Sequence, residues 1–166
     1  CKLAALCKKT PIYNYLGGEN ATCLPLPLMN IINGGVHANN SLRIQEFMIR
    51  PENPKTFSEA TRMCFLVIQN LKNLITKKNL STTVGDEGGF APSLEKNEDA
   101  INFIIESIEK SGFKPGIDIS ICLDVASNEL FKDGKYSVET SKYDDTKDII
   151  AYYLALIDKY PIKSIE

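Results

Sequence analysis

Histidine occurs once in the 166 residues, at position 37. The five cysteines, at 1, 7, 23, 64 and 122, are odd in number and no two have C-x-x-C spacing. This shortage of paired soft donors argues against a zinc site, and the sulfurs read as reduced thiols of a cytosolic protein. No long run of one charge sign occurs, and the net charge is only −2. The chain therefore has no electrostatic footprint for nucleic acid or an anionic membrane surface. Its apolar stretches are too short and too interrupted to span a bilayer. The opening CKLAALCKKTP has neither the length nor the cleavage site of a signal peptide. Internal repeats and low-complexity tracts are also missing.

What is present is a 43% apolar composition, enough for a core, over a length that fits one domain or a large piece of one. The chain opens on Cys1 and closes on PIKSIE, a strand-like ending, so a fragment of a longer protein is expected. Residues 1–10 could close a helix with Leu3, Leu6 and Cys7 on one face, and YLGGENATCLPLP reads as a loop. LMNIINGG reads as a short buried strand. LRIQEFMIRP alternates as a second, with Leu42, Ile44, Glu46 and Met48 on one face and Arg43, Gln45, Phe47 and Ile49 on the other.

A long helix is expected over Thr56–Lys77, opened by a Thr56/Glu59 capping box. Its stripe would be Phe57, Ala60, Cys64, Val67, Ile68, Leu71 and Ile75. A second helix, 97–110, would be capped by Asn97, bury Ile101, Ile104, Ile105 and Ile108, and stop at Gly112. IDISICLDVA is a third strand, and FKDGKYSVE suggests a small hairpin around Asp133-Gly134. A third helix over 148–160 would turn Ile149, Ile150, Tyr153, Leu154 and Ile157 inward, before a fourth strand, IKSIE. The last three elements form a βαβ unit, which implies parallel strands in a covered α/β sheet.

Working side chains of α/β folds gather at the carboxyl ends of strands. His37 follows the first strand, Gln45 and Glu46 lie in the second, Asp124 ends the third, and Glu166 ends the fourth. Each has an ordinary explanation. A histidine after Gly-Gly is commonly a capping group, Asp124 could cap the next turn, and Asp86-Glu87 between glycines could be a solvated turn. Glu46 is harder to dismiss, because a buried carboxylate without a partner is costly. Taken together, Asp124 and Glu166 occupy matching positions on strands about 4.8 Å apart. Two such carboxylates can converge on a hard cation of the magnesium type. Glu46 and Glu87 would then be a second pair, available for proton transfer.

The segments LPLPLMNIINGGVHANNSLRIQEFMIRP, VGDEGGFAPSLEKNEDA, CLDVASNELFKDGKYSV and KYPIKSIE resemble enolases, the phosphopyruvate hydratases of glycolysis, in order and with family spacing. The resemblance implies the first half of an enolase-type ββαα(βα)6 barrel, incomplete here. Residues 1–22 would be the end of a preceding helix and a linker, and 23–166 the first half of the catalytic barrel. It implies magnesium-dependent dehydration of 2-phosphoglycerate to phosphoenolpyruvate in the cytoplasm, by a homodimer that binds neither nucleic acid nor membrane. Glu87 would be the proton donor, its acid form favoured by the nearby Glu46. His37, Gln45, Glu46 and Glu166 would bind substrate, and Asp124 and Glu166 would hold magnesium. The third metal ligand, the lysine base, a second histidine and the phosphate-binding residues of that family lie beyond Ser-Ile-Glu. Arg43 stands where the family has a smaller residue. An isolated half barrel is expected to be marginally stable, prone to aggregation and inactive. Two other readings are a related barrel enzyme acting on a different carboxylate, and a non-catalytic binding role through Lys132 and Lys135.

Overall fold

The computed structural model describes residues 1–138 and 145–166. In chain order the helices are α1 (Lys2–Cys7), α2 (Ile12–Gly17), α3 (Phe57–Lys77), α4 (Asn97–Lys110), α5 (Ser127–Leu130) and α6 (Thr146–Lys159). The strands are β1 (Met29–Asn33), β2 (Glu46–Pro51), β3 (Ile119–Asp124), β4 (Phe131–Lys132), β5 (Lys135–Tyr136) and β6 (Ile162–Ile165). One sheet has the order β1-β2-β3-β6; β2 is antiparallel to both β1 and β3, whereas β3 and β6 are parallel. The expected βαβ unit is therefore β3-α6-β6. Four strands leave the barrel open, with β6 at one edge.

The sheet is covered on one face by α3 and α4. Phe47 and Ile49 of β2, with Ile121 and Leu123 of β3, join Val67, Leu71, Ile101, Ile104 and Ile108 in one buried cluster. The opposite face carries Glu46, Met48 and Arg50, which pair across the ladder with Asp124, Cys122 and Ser120. This division follows from the two-residue period of a strand. The alternation read over Leu42–Ile49 holds only from Glu46 onward. Leu42 and Ile44 belong to the helix-side core together with Phe47 and Ile49. The period slips because residues 42–45 are not a strand, and Gln45 lies just before β2 rather than inside it. The N–H groups of Arg43 and Ile44 are instead satisfied by Asn97 Oδ1, at 3.1 and 3.2 Å.

Asn97 is consequently not the cap of α4. It is buried inside the first turn, and Lys96 holds the cap position, its N–H donating to Asp99 Oδ2 at 3.0 Å. The cap of α3 is as expected at Thr56, whose Oγ1 accepts the Glu59 N–H at 3.1 Å. Glu59 reaches back one residue further than a capping box requires, to the Lys55 N–H at 2.7 Å. Phe57 is exposed, and Met63 and Leu74 complete the buried stripe of α3. Ile105 of α4 is only partly buried.

Near the start of the chain, Leu3 and Leu6 are exposed and Ala5 is the buried residue of α1. Ile12–Gly17 forms a helical turn where Tyr15–Gly17 read as loop; Pro11 precedes it and Gly18, at φ +71°, ends it. The hairpin forms at the expected place, with Asp133 and Gly134 at φ +52° and +79°, as a two-residue primed turn requires. The end of FKDGKYSVE, Glu139, lies outside the described residues. Cys64 and Cys122 are buried, the other three cysteines are exposed, and all five are free. No helix among the described residues is long and apolar enough to cross a membrane.

Helix α6 departs most from its expected packing. Ile149 and Leu156 are buried, but Ile150, Leu154 and Ile157 are 50%, 60% and 45% exposed. Only one side of the helix meets the sheet, and no described helix flanks the other. An apolar stripe of this kind promotes self-association. Leu154→Lys in the isolated 166-residue chain is expected to raise its soluble concentration roughly twofold or more, with the far-ultraviolet circular dichroism unchanged. Light scattering at equal concentration checks this.

Candidate active site

The rim formed by the end of β1, the start of β2 and the ends of β3 and β6 collects the expected polar groups. Glu46 stands at the amino end of its strand, which at first conflicts with the rule that sites lie at carboxyl ends. The reversal of β2 resolves the conflict, because Glu46 pairs directly with Asp124, the last residue of β3. Asp124 and Glu166 follow the paired residues Leu123 and Ile165 of the parallel ladder. That ladder continues through the Glu166 N–H to Leu123 O (3.0 Å) and the Val125 N–H to Glu166 O (2.8 Å). The two expected metal ligands thus sit on adjacent strand ends.

The acidic loop answers for its glycines. Val84 and Phe90 pair across it, and Phe90 also bridges to Ile32 of β1. The turn is closed by the Gly85 N–H to Gly89 O at 2.8 Å. A Cβ on Gly85 would lie 2.5 Å from His37 O and 2.7 Å from Asn33 Cβ, and one on Gly89 would lie 2.8 Å from Asn33 Oδ1. Both stems are pressed against the end of β1, which only glycine permits. Asp86 donates its N–H to His37 O at 3.0 Å, tying the acidic loop to the short 3-10 turn Gly35–His37. Asp86 and Glu87 project from this base as exposed residues.

His37, Glu46 and Glu87 each offer a ligand atom within 4.8 Å of the other two, the one such group of three among the described residues. His37 Nδ1 is buried and makes no hydrogen bond, with Glu46 Oε1 3.5 Å away. Burial raises the pKa of Glu46 above the ordinary carboxylate value. The negative charges of Asp124, Glu87 and Glu166 raise it further, against a lowering by His37. Thus the carboxylates flagged in three other stretches all bear on Glu46 at the rim.

Asp124 caps the next turn as expected. Its Oδ1 accepts the Ala126 N–H at 2.9 Å and caps the turn, while Oδ2 accepts from Gln45 Nε2 at 3.2 Å. Each oxygen keeps a further lone pair, so with Glu166 the donor set is hard and oxygen-only, which fits a magnesium-like cation. Gln45 is a support for that carboxylate. Lys132 and Lys135 lie apart from the rim, on the hairpin, where with Arg43 they line a separate cavity of about 300 Å³.

Asn33 and Asn40 hold this rim without having been singled out from sequence, and Asn97 was singled out only as a helix cap. Asn33 is fully buried and accepts the Gly89 N–H. Asn40 donates to Asn33 O at 3.0 Å and to Pro92 O at 3.2 Å. Asn97 supports residues 43–44. The signal available was an amide side chain closing an apolar strand, as in NIIN, where only a satisfied polar group can be buried.

An acidic rim at the strand ends of a mixed sheet covered by helices marks the chain as an α/β protein with its polar groups gathered at one end of the sheet. Residues 21–166 match the family model "Enolase, C-terminal TIM barrel domain". The chain is also 59% identical over 165 residues to "Enolase" of Pelagibacter ubique (strain HTCC1062), covering 99% of this chain and 40% of that relative. The chain belongs to the enolase family. It spans well under half the length of the curated relative.

Proposed function

We propose that the full-length protein carrying these residues is a phosphopyruvate hydratase, which reversibly dehydrates 2-phosphoglycerate to phosphoenolpyruvate in glycolysis. The observation that carries this reading is the mutual approach of His37, Glu46 and Glu87 beside the Asp124 and Glu166 strand ends. In the reaction a proton leaves C2 and hydroxide leaves C3, so that a C2–C3 double bond forms. Glu87, on an exposed loop tip over the rim, gives its proton to the departing hydroxyl, and water leaves. Glu46, already biased toward the protonated form, sits between Glu87 and the metal ligands and keeps two full negative charges from crowding there. His37, within 4.8 Å of both Glu46 and Glu87, contacts substrate beside them.

Asp124 and Glu166 would hold magnesium, which supplies electrostatic stabilisation of the charge that develops on the substrate carboxylate. The base that takes the C2 proton is assigned to a lysine outside residues 1–166. The intact enzyme is proposed to be a cytoplasmic homodimer. A coupled assay on the purified full-length protein tests the activity, reading phosphoenolpyruvate from 2-phosphoglycerate with magnesium present. Turnover that is lost with a chelator and regained on adding magnesium is the expected result. Absence of any turnover, or preference for a carboxylate without phosphate, overturns the reading.

A further inference from the structure

We infer that Asn33 is a positioning residue for Glu87, fixing the acidic turn on β1 and setting its distance from Glu46. The inference rests on the proposed role of Glu87 as proton donor. Asn33 is the last residue of β1 and is fully buried. Its single amide addresses both acid-bearing segments. Oδ1 accepts the Gly89 N–H at 2.9 Å, two residues after Glu87, and Nδ2 donates to Gln45 O at 3.4 Å, one residue before Glu46. The backbone of Asn33 is fastened as well, its N–H donating to Phe90 O at 2.9 Å.

Between Gly85 and Gly89 stand only Asp86, Glu87 and Gly88, closed by the Gly85–Gly89 and Gly88–Gly85 hydrogen bonds. So short a turn has no slack, and Glu87 goes where its two stems go. Both stems rest on the Asn33 side chain, since the Cβ sites of Gly85 and Gly89 are filled by Asn33 Cβ and Oδ1. Without the amide, the Gly89 N–H is buried without an acceptor, and the turn is free to shift to find one. A displacement of about 1 Å at a catalytic group can cost on the order of 10²-fold in rate.

The two halves of the reaction separate this role from a merely structural one. Washout of the C2 proton of 2-phosphoglycerate into deuterated water needs the base but not Glu87, whereas dehydration needs both. Unfolded molecules do neither, so the ratio of washout to dehydration reads only the folded fraction. In the full-length protein, Asn33→Ala is expected to lower dehydration by about 10²-fold and washout by less than about threefold. Gly89→Ala, which forces the turn off Asn33 Oδ1, should move the ratio in the same direction. Asn70→Ala removes an amide that bonds Ser111 Oγ at 2.9 Å between α3 and α4, and should leave the ratio unchanged. If Glu87→Gln raises the ratio and Asn33→Ala does not, the inference falls while the donor assignment stands. If Glu87→Gln leaves the ratio at the wild-type value, the donor assignment fails and takes this inference with it.

Discussion

Glu87→Gln in the full-length protein is expected to lower the dehydration of 2-phosphoglycerate by about 10³-fold or more, within the span ascribed to a positioned general acid. The substitution is nearly isosteric and removes only the proton that hydroxide needs in order to leave as water. Since Glu87 is an exposed turn residue, no buried contact is lost and the fold should be unaffected. Magnesium affinity, which this reading assigns to Asp124 and Glu166, should change little. Steady-state kinetics and a magnesium titration by calorimetry check the two halves. A variant that turns over normally, or one that loses magnesium binding, removes the role given to Glu87.

Asp124→Asn is expected to give the complementary result. One of the two strand-end negative charges disappears, and magnesium affinity should fall by roughly 10²-fold, a loss consistent with a unit charge acting over a few ångströms in a partly screened site. The carbonyl of asparagine can still accept the Ala126 N–H, so the turn after β3 is retained. Magnesium should then cease to raise the thermal midpoint of the variant at concentrations that stabilise the wild type. A second signature is independent of catalysis. After burial, Asp124 is the largest influence raising the Glu46 pKa. Its neutralisation should bring that carboxyl back toward the ordinary value, visible in a carbon NMR titration. An unchanged magnesium affinity would exclude Asp124 as a ligand.

The elements with strong periodicity were legible from sequence. Most of the stripe of α3, most of the buried face of α4, β1, β3 and the Asp133-Gly134 hairpin all stand where local pattern places them, because each is decided by its own residues. Where a residue's role depends on a distant segment, local pattern misled. Asn97 has the chemistry of a helix cap, yet Arg43 and Ile44 claim its oxygen across more than fifty residues of sequence. Leu42 and Ile44 continue the alternation of β2 in sequence but not in space. The apolar spacing of α6 marks a helix correctly, and it cannot say which of its sides meets the sheet. The candidate site residues were singled out by their places at strand ends and between glycines, and their roles came from the resemblance of whole motifs. Their grouping on one rim depends on the reversal of β2, which no single motif states.

That reversal governs how the His37 loop behaves. Because β1 and β2 are a same-side hairpin pair, residues 34–45 leave and re-enter the sheet at one lip, and both anchor points belong to neighbouring strands. The segment is held between those anchors by Asn97, which accepts the N–H groups of Arg43 and Ile44, and by Asn40, which donates to Asn33 O and Pro92 O. Leu42 and Ile44 are locked into the helix-side core, so a change of length that keeps the strand register is confined to the neighbourhood of the exposed Val36, Asn39 and Ser41.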